Sequence, residues 1–302
     1  MRSKASSSPH DKSSLLRPDT KRWTLHKADL HLHTPHSDGQ MTVPELPRRV
    51  AETHLSAIVI TDHNTLSGAW EGQRLAQQHP YPFEIIVEEE VTTRDGDVVG
   101  LFLAEVPPPG LSAAEIVRLI HRQGGLAFAT HPFFRVNTGQ KLIGGFGHIV
   151  PALELDALEV DSGTPLLEWA NGRVARDARE HGLTALGNSD THILEAVGKS
   201  LTLFWGKGVE DLRRALLSGA VHPGAGAYEP AELWAYLRFC LRYTAKDWQR
   251  RVAGEGLRGK LEGFRKSTQK QVQPIFRDRA LEKRSAQKTL ALQTKTGELK
   301  CP

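Results

Sequence analysis

His31 and His33 stand two residues apart in DLHLHT, with Asp29 two residues before them. Side chains at alternate positions of a strand share a face about 7 Å apart at the backbone. The two imidazoles therefore converge on one point, and convergent neutral imidazoles bind a divalent metal. Similar clusters recur downstream: SDG supplies Asp38, TDH supplies Asp62 and His63, EEE supplies Glu88, Glu89 and Glu90, THP supplies His131, and NSDTH supplies Asp190 and His192. Among 14 histidines some pairs arise by chance, and a strand histidine is more often simply hydrogen-bonded. It is the recurrence of such clusters, each closing a strand candidate, that argues for a centre. A mixed imidazole and carboxylate set with no thiolate suits Zn, Mn or Fe rather than a structural zinc knot.

The elements that must position these groups alternate from residue 27 onward. Short β-branched runs (KADLHLHT, SAIVITDH, FEIIVEEEVTT, DVVGLFLAE, GLAFATH, DALEVDS, LTALGNSDTH, SLTLFW) are separated by segments of helical period such as TLSGAWEGQRLAQQ and SAAEIVRLIHRQ. Seven or eight strands with intervening helices suit a (β/α) barrel better than an open sheet. No Gly-rich dinucleotide fingerprint follows the first strand, and every cluster falls at a strand's carboxyl end, where such barrels build active sites.

The set DLHLHT, SDG, ITDHN, a Glu before VTT, ATHP and GNSDTH resembles the PHP family, named for polymerase and histidinol phosphatase, over about residues 27–222. The resemblance implies a distorted (β/α)7 barrel whose two- or three-metal centre hydrolyses phosphoesters. It further implies that His31, His33, Glu90 and Asp190 hold one metal, and that Glu90 bridges to a second, also ligated by His131. Asp38, His63 and His192 would hold the third. Glu90 is preferred because EVTT matches the family pattern, with Glu88 as the fallback. Where the family usually has a His before the strand VVGLFL, this chain has Asp97, which is expected to ligate with an altered metal preference. Asp38, His63, Asp190 and His192 are expected to act in catalysis. Two divalent ions would leave these carboxylates near neutrality, and a third would attract a phosphate dianion. A water bridging two ions about 3.5–4 Å apart becomes a hydroxide near pH 7. Arg135, four residues after His131, is expected to reach the substrate phosphate, and Glu159 to line the pocket. Asp29 is expected to fix a histidine tautomer, and His36 to sit on the rim.

Residues 231–302 hold 17 Lys and Arg against 7 Asp and Glu, which leaves 22 against 28 in residues 1–230. An acidic body at −6 thus precedes a basic extension at +10. The expected organisation is a disordered basic, Ser-rich arm over 1–24, a barrel domain over 25–225, and a helical, partly disordered extension over 226–302. AELWAYLRFCLRYTAKDWQRR places Trp234, Leu237 and Leu241 on one helical face, for packing on the barrel or for contact with nucleic acid. Two cysteines, Cys240 and Cys301, make no disulfide framework, so a cytoplasmic location is expected, and no apolar run of membrane length occurs. A small phosphomonoester is the first substrate choice, because no helical insertion of the nucleotide-cleaving kind follows LFLA. A polynucleotide end recruited by the extension comes second. An amidohydrolase-like hydrolase is the nearest enzyme rival, although no Lys ends the middle strands. A catalytically weak interaction module is the rival from another class.

Overall fold

The structure is a computed structural model that describes residues 24–252, apart from 80, 133–134, 138–141, 145, 147–149, 151, 164 and 166–167. The expected arm, apart from Thr24, and the extension after residue 252 lie outside the described residues. In chain order the elements are β1 (Leu25–Leu32), α1 (Leu46–Thr53), β2 (Ala57–Ile60), α2 (Ser67–Gln78), β3 (Glu84–Val87), β4 (Glu90–Thr92), β5 (Asp97–Leu101) and α3 (Ala113–His121). They continue with β6 (Leu126–Ala129), β7 (Arg135–Asn137), β8 (Leu142–Gly144), β9 (Ala157–Asp161), α4 (Glu168–Glu180), β10 (Thr184–Gly187), β11 (Ser200–Trp205), α5 (Gly208–Leu217), β12 (Val221–Ala225) and α6 (Pro230–Val252).

The described strands form an α/β fold of two five-stranded mixed sheets, ordered β12-β11-β1-β2-β3 and β10-β9-β6-β5-β4, with a separate β7-β8 hairpin. This corrects the expectation of a single seven-stranded ring, because no closed barrel is present among the described residues. The ring is open between the edge strands β3 and β4 and between β10 and β12, and two connections inside the sheets carry no crossover helix. Only residues 93–96 join β4 to β5, and Thr93 Oγ1 closes the turn by accepting from Asp95 and Gly96 N–H while donating to Gly96 O. Such a link permits only antiparallel pairing, since a parallel return needs a dozen residues or more. The β11–β12 pair is likewise antiparallel, and β11 runs antiparallel to β1.

Helix starts follow local chemistry. Ser112 and Glu115 form a reciprocal capping box at α3, with Glu115 Oε2 accepting from Ser112 N at 2.8 Å. The amphipathic faces then sort into three apolar layers. Val43, Val50 and Ala69, from α1, α2 and the turn before α1, pack outside the first sheet against Ile58 and Ile60. Ile116, Ile120, Val174 and Ala178 of α3 and α4 cover the second sheet. Between the sheets lie Leu30, Val59, Val99, Phe128, Leu186 and Phe204.

The two sheets meet where β1, β2 and β10 end and β4 begins, through parallel bridges Leu32–Thr191 and His63–Glu90. Asp29, completely buried, ties the same seam: its Oδ1 accepts from Ser189 N at 2.9 Å and its Oδ2 from Gly198 N at 3.0 Å. A shift in the β1–β2 register between Asp29 and Leu32 breaks the strict alternation that would have put Asp29 beside His31. Asp29 therefore holds loop backbone, and not a histidine ring as expected.

Two compact units divide the chain, Met1–Leu233 and Trp234–Pro302. In the second, Trp234, Leu237 and Leu241 are exposed while Phe239 is buried. Among the described residues no helix is long and apolar enough to cross a membrane.

Asp29→Ala leaves the buried Ser189 N–H and the part-buried Gly198 N–H unsatisfied and should lower stability in urea unfolding by about 2–6 kcal/mol, at about 1–3 kcal/mol for each lost partner. A loss below about 1 kcal/mol would mean that the seam is held elsewhere.

Candidate metal centre

Nine side chains from six strand ends converge at the seam. His31 and His33 end β1, with Asp38 on the turn that follows; His63 follows β2, Glu90 opens β4, Asp97 opens β5, His131 follows β6, and Asp190 and His192 follow β10. They fall into overlapping groups whose ligand atoms lie within 4.8 Å of one another: His31, His33 and Asp190; His33, Asp38 and His192; His33, His63 and Glu90; Glu90, Asp97 and His131.

The tightest set surrounds one point. His31 Nε2 lies 3.0 Å from His33 Nε2, 3.3 Å from Glu90 Oε2 and 3.4 Å from Asp190 Oδ1. His33 Nε2 lies 3.4 Å from both Glu90 Oε2 and Asp190 Oδ1. A tetrahedral ion with N or O ligands at about 2.0–2.1 Å has edges of about 3.3 Å, so these separations fit a divalent ion. The opposite oxygen, Glu90 Oε1, accepts from Thr130 Oγ1 at 2.7 Å and stands 3.6 Å from His131 Nε2, on the side of Asp97. Asp38 Oδ1 lies 3.3 Å from His192 Nε2, and its Oδ2 lies 3.8 Å from His63 Nε2. The buried Nδ1 of His33 has no hydrogen-bond partner among the described residues, while His63 Nδ1 faces Glu90 Oε2 at 3.2 Å. An orphaned ring nitrogen beside this cluster fits a donor set built for cations.

The charges agree. Among the described residues no Lys or Arg pairs with Asp38, Glu90, Asp97 or Asp190. Burial alone would raise the carboxyls of Asp38, Glu90 and Asp190, yet the neighbouring imidazoles hold all three well below the usual carboxylate range. The reciprocal effect, against burial, pushes His131 and His192 up to about 9. His33 goes down, through burial and the adjacent His192, so it keeps the neutral form that a metal ligand needs. Asp97 goes up, through burial and the charge of Glu90. An added cation is what would let Asp97 ionise here.

Backbone geometry at the centre is constrained. Asp62 accepts from Thr34 N at 2.7 Å, Thr34 Oγ1 at 2.6 Å and Ser37 Oγ at 2.6 Å, which folds the turn carrying Asp38. At Gly39 a Cβ would stand 2.2 Å from His33 O, so only glycine lets the turn close this tightly. His131 and Asp190 both adopt left-handed φ, at 28° and 46°.

Glu159, expected to line the substrate pocket, lies buried behind His31, its Oε2 2.8 Å from His31 Nδ1. It takes the orienting position that the sequence reading gave to Asp29. The signal for this is only that β9 ends near β1, which the strand pattern does not reveal. Glu88, the fallback for Glu90, turns away and accepts from Leu103 N at 3.1 Å. His36 pairs with Glu71 at 2.7 Å on the rim. The Arg135 side chain lies outside what the structure describes.

Known proteins are similar to this chain in sequence and in fold. A PHP-domain profile matches residues 29–128, and a PHP-associated profile matches residues 168–221. An uncharacterized protein of Methanocaldococcus jannaschii is 34% identical over 145 residues, covering 44% of this chain and 80% of that protein. The chain belongs to the PHP family. Two solved structures share the fold of this PHP protein. A two-domain protein from Bacteroides vulgatus, described as containing a predicted PHP-like metal-dependent phosphoesterase, aligns with TM-score 0.57 and 17% identity over 74% of this chain and 72% of its own. PsfC from Pseudomonas syringae aligns with TM-score 0.53 and 16% identity over 73% of this chain and 98% of its own.

Beside the centre, burial pushes Glu88 up to about 8, and burial together with the charge of Glu88 does the same to Glu89. The folded chain thus keeps protons that the unfolded chain releases near 4.5, and their contribution to stability falls as pH rises from there towards 8. Glu89→Gln should raise stability at pH 8 by about 1–3 kcal/mol, with the gain vanishing near pH 5. A pH-independent difference between the variant and the wild type in urea unfolding would refute the assignment.

Proposed function

We propose that this PHP protein is a metal-dependent phosphoesterase whose substrate is a small phosphomonoester. The observation that carries the reading is the convergence of five imidazoles and four carboxylates around Glu90, without a pairing Lys or Arg among the described residues. The Bacteroides vulgatus neighbour's description as a predicted metal-dependent phosphoesterase supports it. Two or three divalent Mn, Zn or Fe ions, when bound, would supply Lewis acidity towards a phosphoryl oxygen and bring the ionisation of water to near pH 7.

The chain's own residues divide that work. His31, His33, Glu90 and Asp190 would hold the inner ion; Glu90 with Asp97 and His131 would hold a second; Asp38, His63 and His192 would hold a third. Asp38 and His63 are the most exposed of these groups, with side chains 24% and 31% accessible, so the phosphate approaches from their side. His192 Nε2 faces Asp38 Oδ1 at 3.3 Å and its Nδ1 lies 3.0 Å from Asp190 O, which orients the ring as a ligand beside Asp38. Arg135, on β7, is assigned to the phosphate. Residues 25–225 carry this chemistry, and the cysteine usage supports a cytoplasmic location.

A second reading, a nuclease, is favoured by the +10 charge of residues 231–302 together with exposed Trp234, Leu237 and Leu241 on α6. Aromatic side chains among bases suit stacking on single strands.

The test is hydrolysis of p-nitrophenyl phosphate and of single-stranded oligonucleotides with added Mn. His33→Ala and Asp190→Asn should each lower kcat at least about 10³-fold, and elemental analysis should find at least two ions per chain. Activity near wild type in either variant, or one ion or none after metal supply, would overturn the reading. Faster cleavage of oligonucleotides, steeply weakened by salt, would select the nuclease.

Asp97 gives a separate check. Asp97→His should keep activity and shift the preferred metal towards Zn, and Asp97→Ala should lose one ion. Equal metal content and activity in wild type and both variants would place Asp97 outside the ligand set.

A further inference from the structure

Behind His31 runs a chain of hydrogen bonds whose direction is set by groups that can only donate. Leu30 N donates to Asn188 Oδ1 at 3.2 Å, and Thr202 Oγ1 lies 3.4 Å from the same oxygen. A backbone N–H has no lone pair to offer, so the carbonyl of the Asn188 amide must face β1. Its NH₂ group is thereby turned the other way, towards Glu159 Oε2 at 3.2 Å. The second oxygen, Glu159 Oε1, receives His131 N at 3.4 Å. Both oxygens of Glu159 thus face N–H donors, and Oε2 is also the atom 2.8 Å from His31 Nδ1. Asn188, Glu159 and His31 are all completely or almost completely buried, so these contacts lie out of reach of bulk solvent.

We propose that Asn188 is a positioning residue for the metal centre: by donating to Glu159 it fixes that side chain as the acceptor for His31 Nδ1–H, which leaves His31 Nε2 bare and aimed at the inner metal. The backbone N–H of Leu30, on the same strand as His31, is the origin of the polarity. The same carboxylate also receives His131 N, so one buried group steadies two of the histidines in the centre. This rests on the metal-centre part of the reading above and adds a residue that touches neither metal nor substrate.

The polarity can be reversed on purpose. In Asn188→Asp the side chain still accepts from Leu30 N but opposes Glu159 with a second carboxylate. Adding Glu159→Gln restores complementarity the other way round. The new amide nitrogen then donates to the carboxylate introduced by Asn188→Asp and faces His31 Nδ1, while the new amide carbonyl accepts from His131 N. All donors are satisfied, but His31 must accept at Nδ1 and carry its proton on Nε2, where the metal belongs.

The full chain of wild type, Asn188→Asp and the double variant Asn188→Asp/Glu159→Gln is titrated with zinc against a chromophoric chelator, with melting temperatures and ¹⁵N shifts of the histidine rings measured on the same samples. Asn188→Asp should lose about 10–100-fold in zinc affinity, the usual effect of removing a group that orients a ligand. The double variant should recover melting temperature without recovering zinc affinity, and its His31 ring should show the proton moved from Nδ1 to Nε2. Zinc affinity within twofold of wild type in Asn188→Asp, or affinity restored together with melting temperature in the double variant, would overturn the proposal. Zinc binding is read without substrate. A wild type that binds zinc but hydrolyses no phosphoester therefore sinks the phosphoesterase reading, while the variants' affinities still decide this one.

Discussion

Carboxylate charge held out of water governs this molecule. Asp38, Glu90, Asp97, Glu159 and Asp190 share one buried neighbourhood with five imidazoles, and such a gathering is costly unless each charge is paired or hydrogen-bonded. Glu90 is the extreme case. It is fully buried, and its two oxygens face His31, His33, His63 and His131. The strand ends that present these side chains are also where the two sheets join. The helices and the three apolar layers keep those ends aligned. Where the cluster sits is thus decided by the fold, and what it must contain is decided by electrostatics.

Holding the cluster requires backbone that a relaxed chain avoids. Left-handed φ at His131 and Asp190, neither of them glycine, is a conformation that costs of order 1–3 kcal/mol per residue. Gly39 relieves a turn that a side chain would block, and Gly68 leaves room for the Asp62 carboxylate, which an added Cβ would approach to 2.1 Å. Left-handed φ also occurs at His54, which closes α1, and at Asn64 and Phe102, so two of the five such non-glycine positions among the described residues fall in the ligand set.

Much of the centre is legible in the sequence, because strand alternation and strand-end position are local properties. His31 and His33 face one point as their spacing requires, and His63, His131, Asp190 and His192 arrive from strand ends that are readable as strands. Three things are not legible. The bulge that turns Asp29 away from the histidines leaves no composition signal. The use of Glu159 and Asn188 depends on which strands become neighbours, which periodicity does not encode. The short link between β4 and β5 could be read as a turn, but the parting of β3 from β4 that leaves two sheets in place of a ring could not. Sequence reasoning succeeds where one strand carries the information and fails where two must meet.

The ligands are spread from His31 to His192, and that spread matters during synthesis. Chains emerge from the ribosome amino end first, at about 5–20 residues per second. His31, His33, Asp38, His63 and Glu90 are therefore in solution several seconds before Asp190 and His192 exist to complete them. Over that interval the growing chain exposes a half-built set of imidazoles and acids on a first sheet that still lacks β11 and β12. A nascent chain of this protein thus presents part of the candidate ligand set before the residues that complete it have been made.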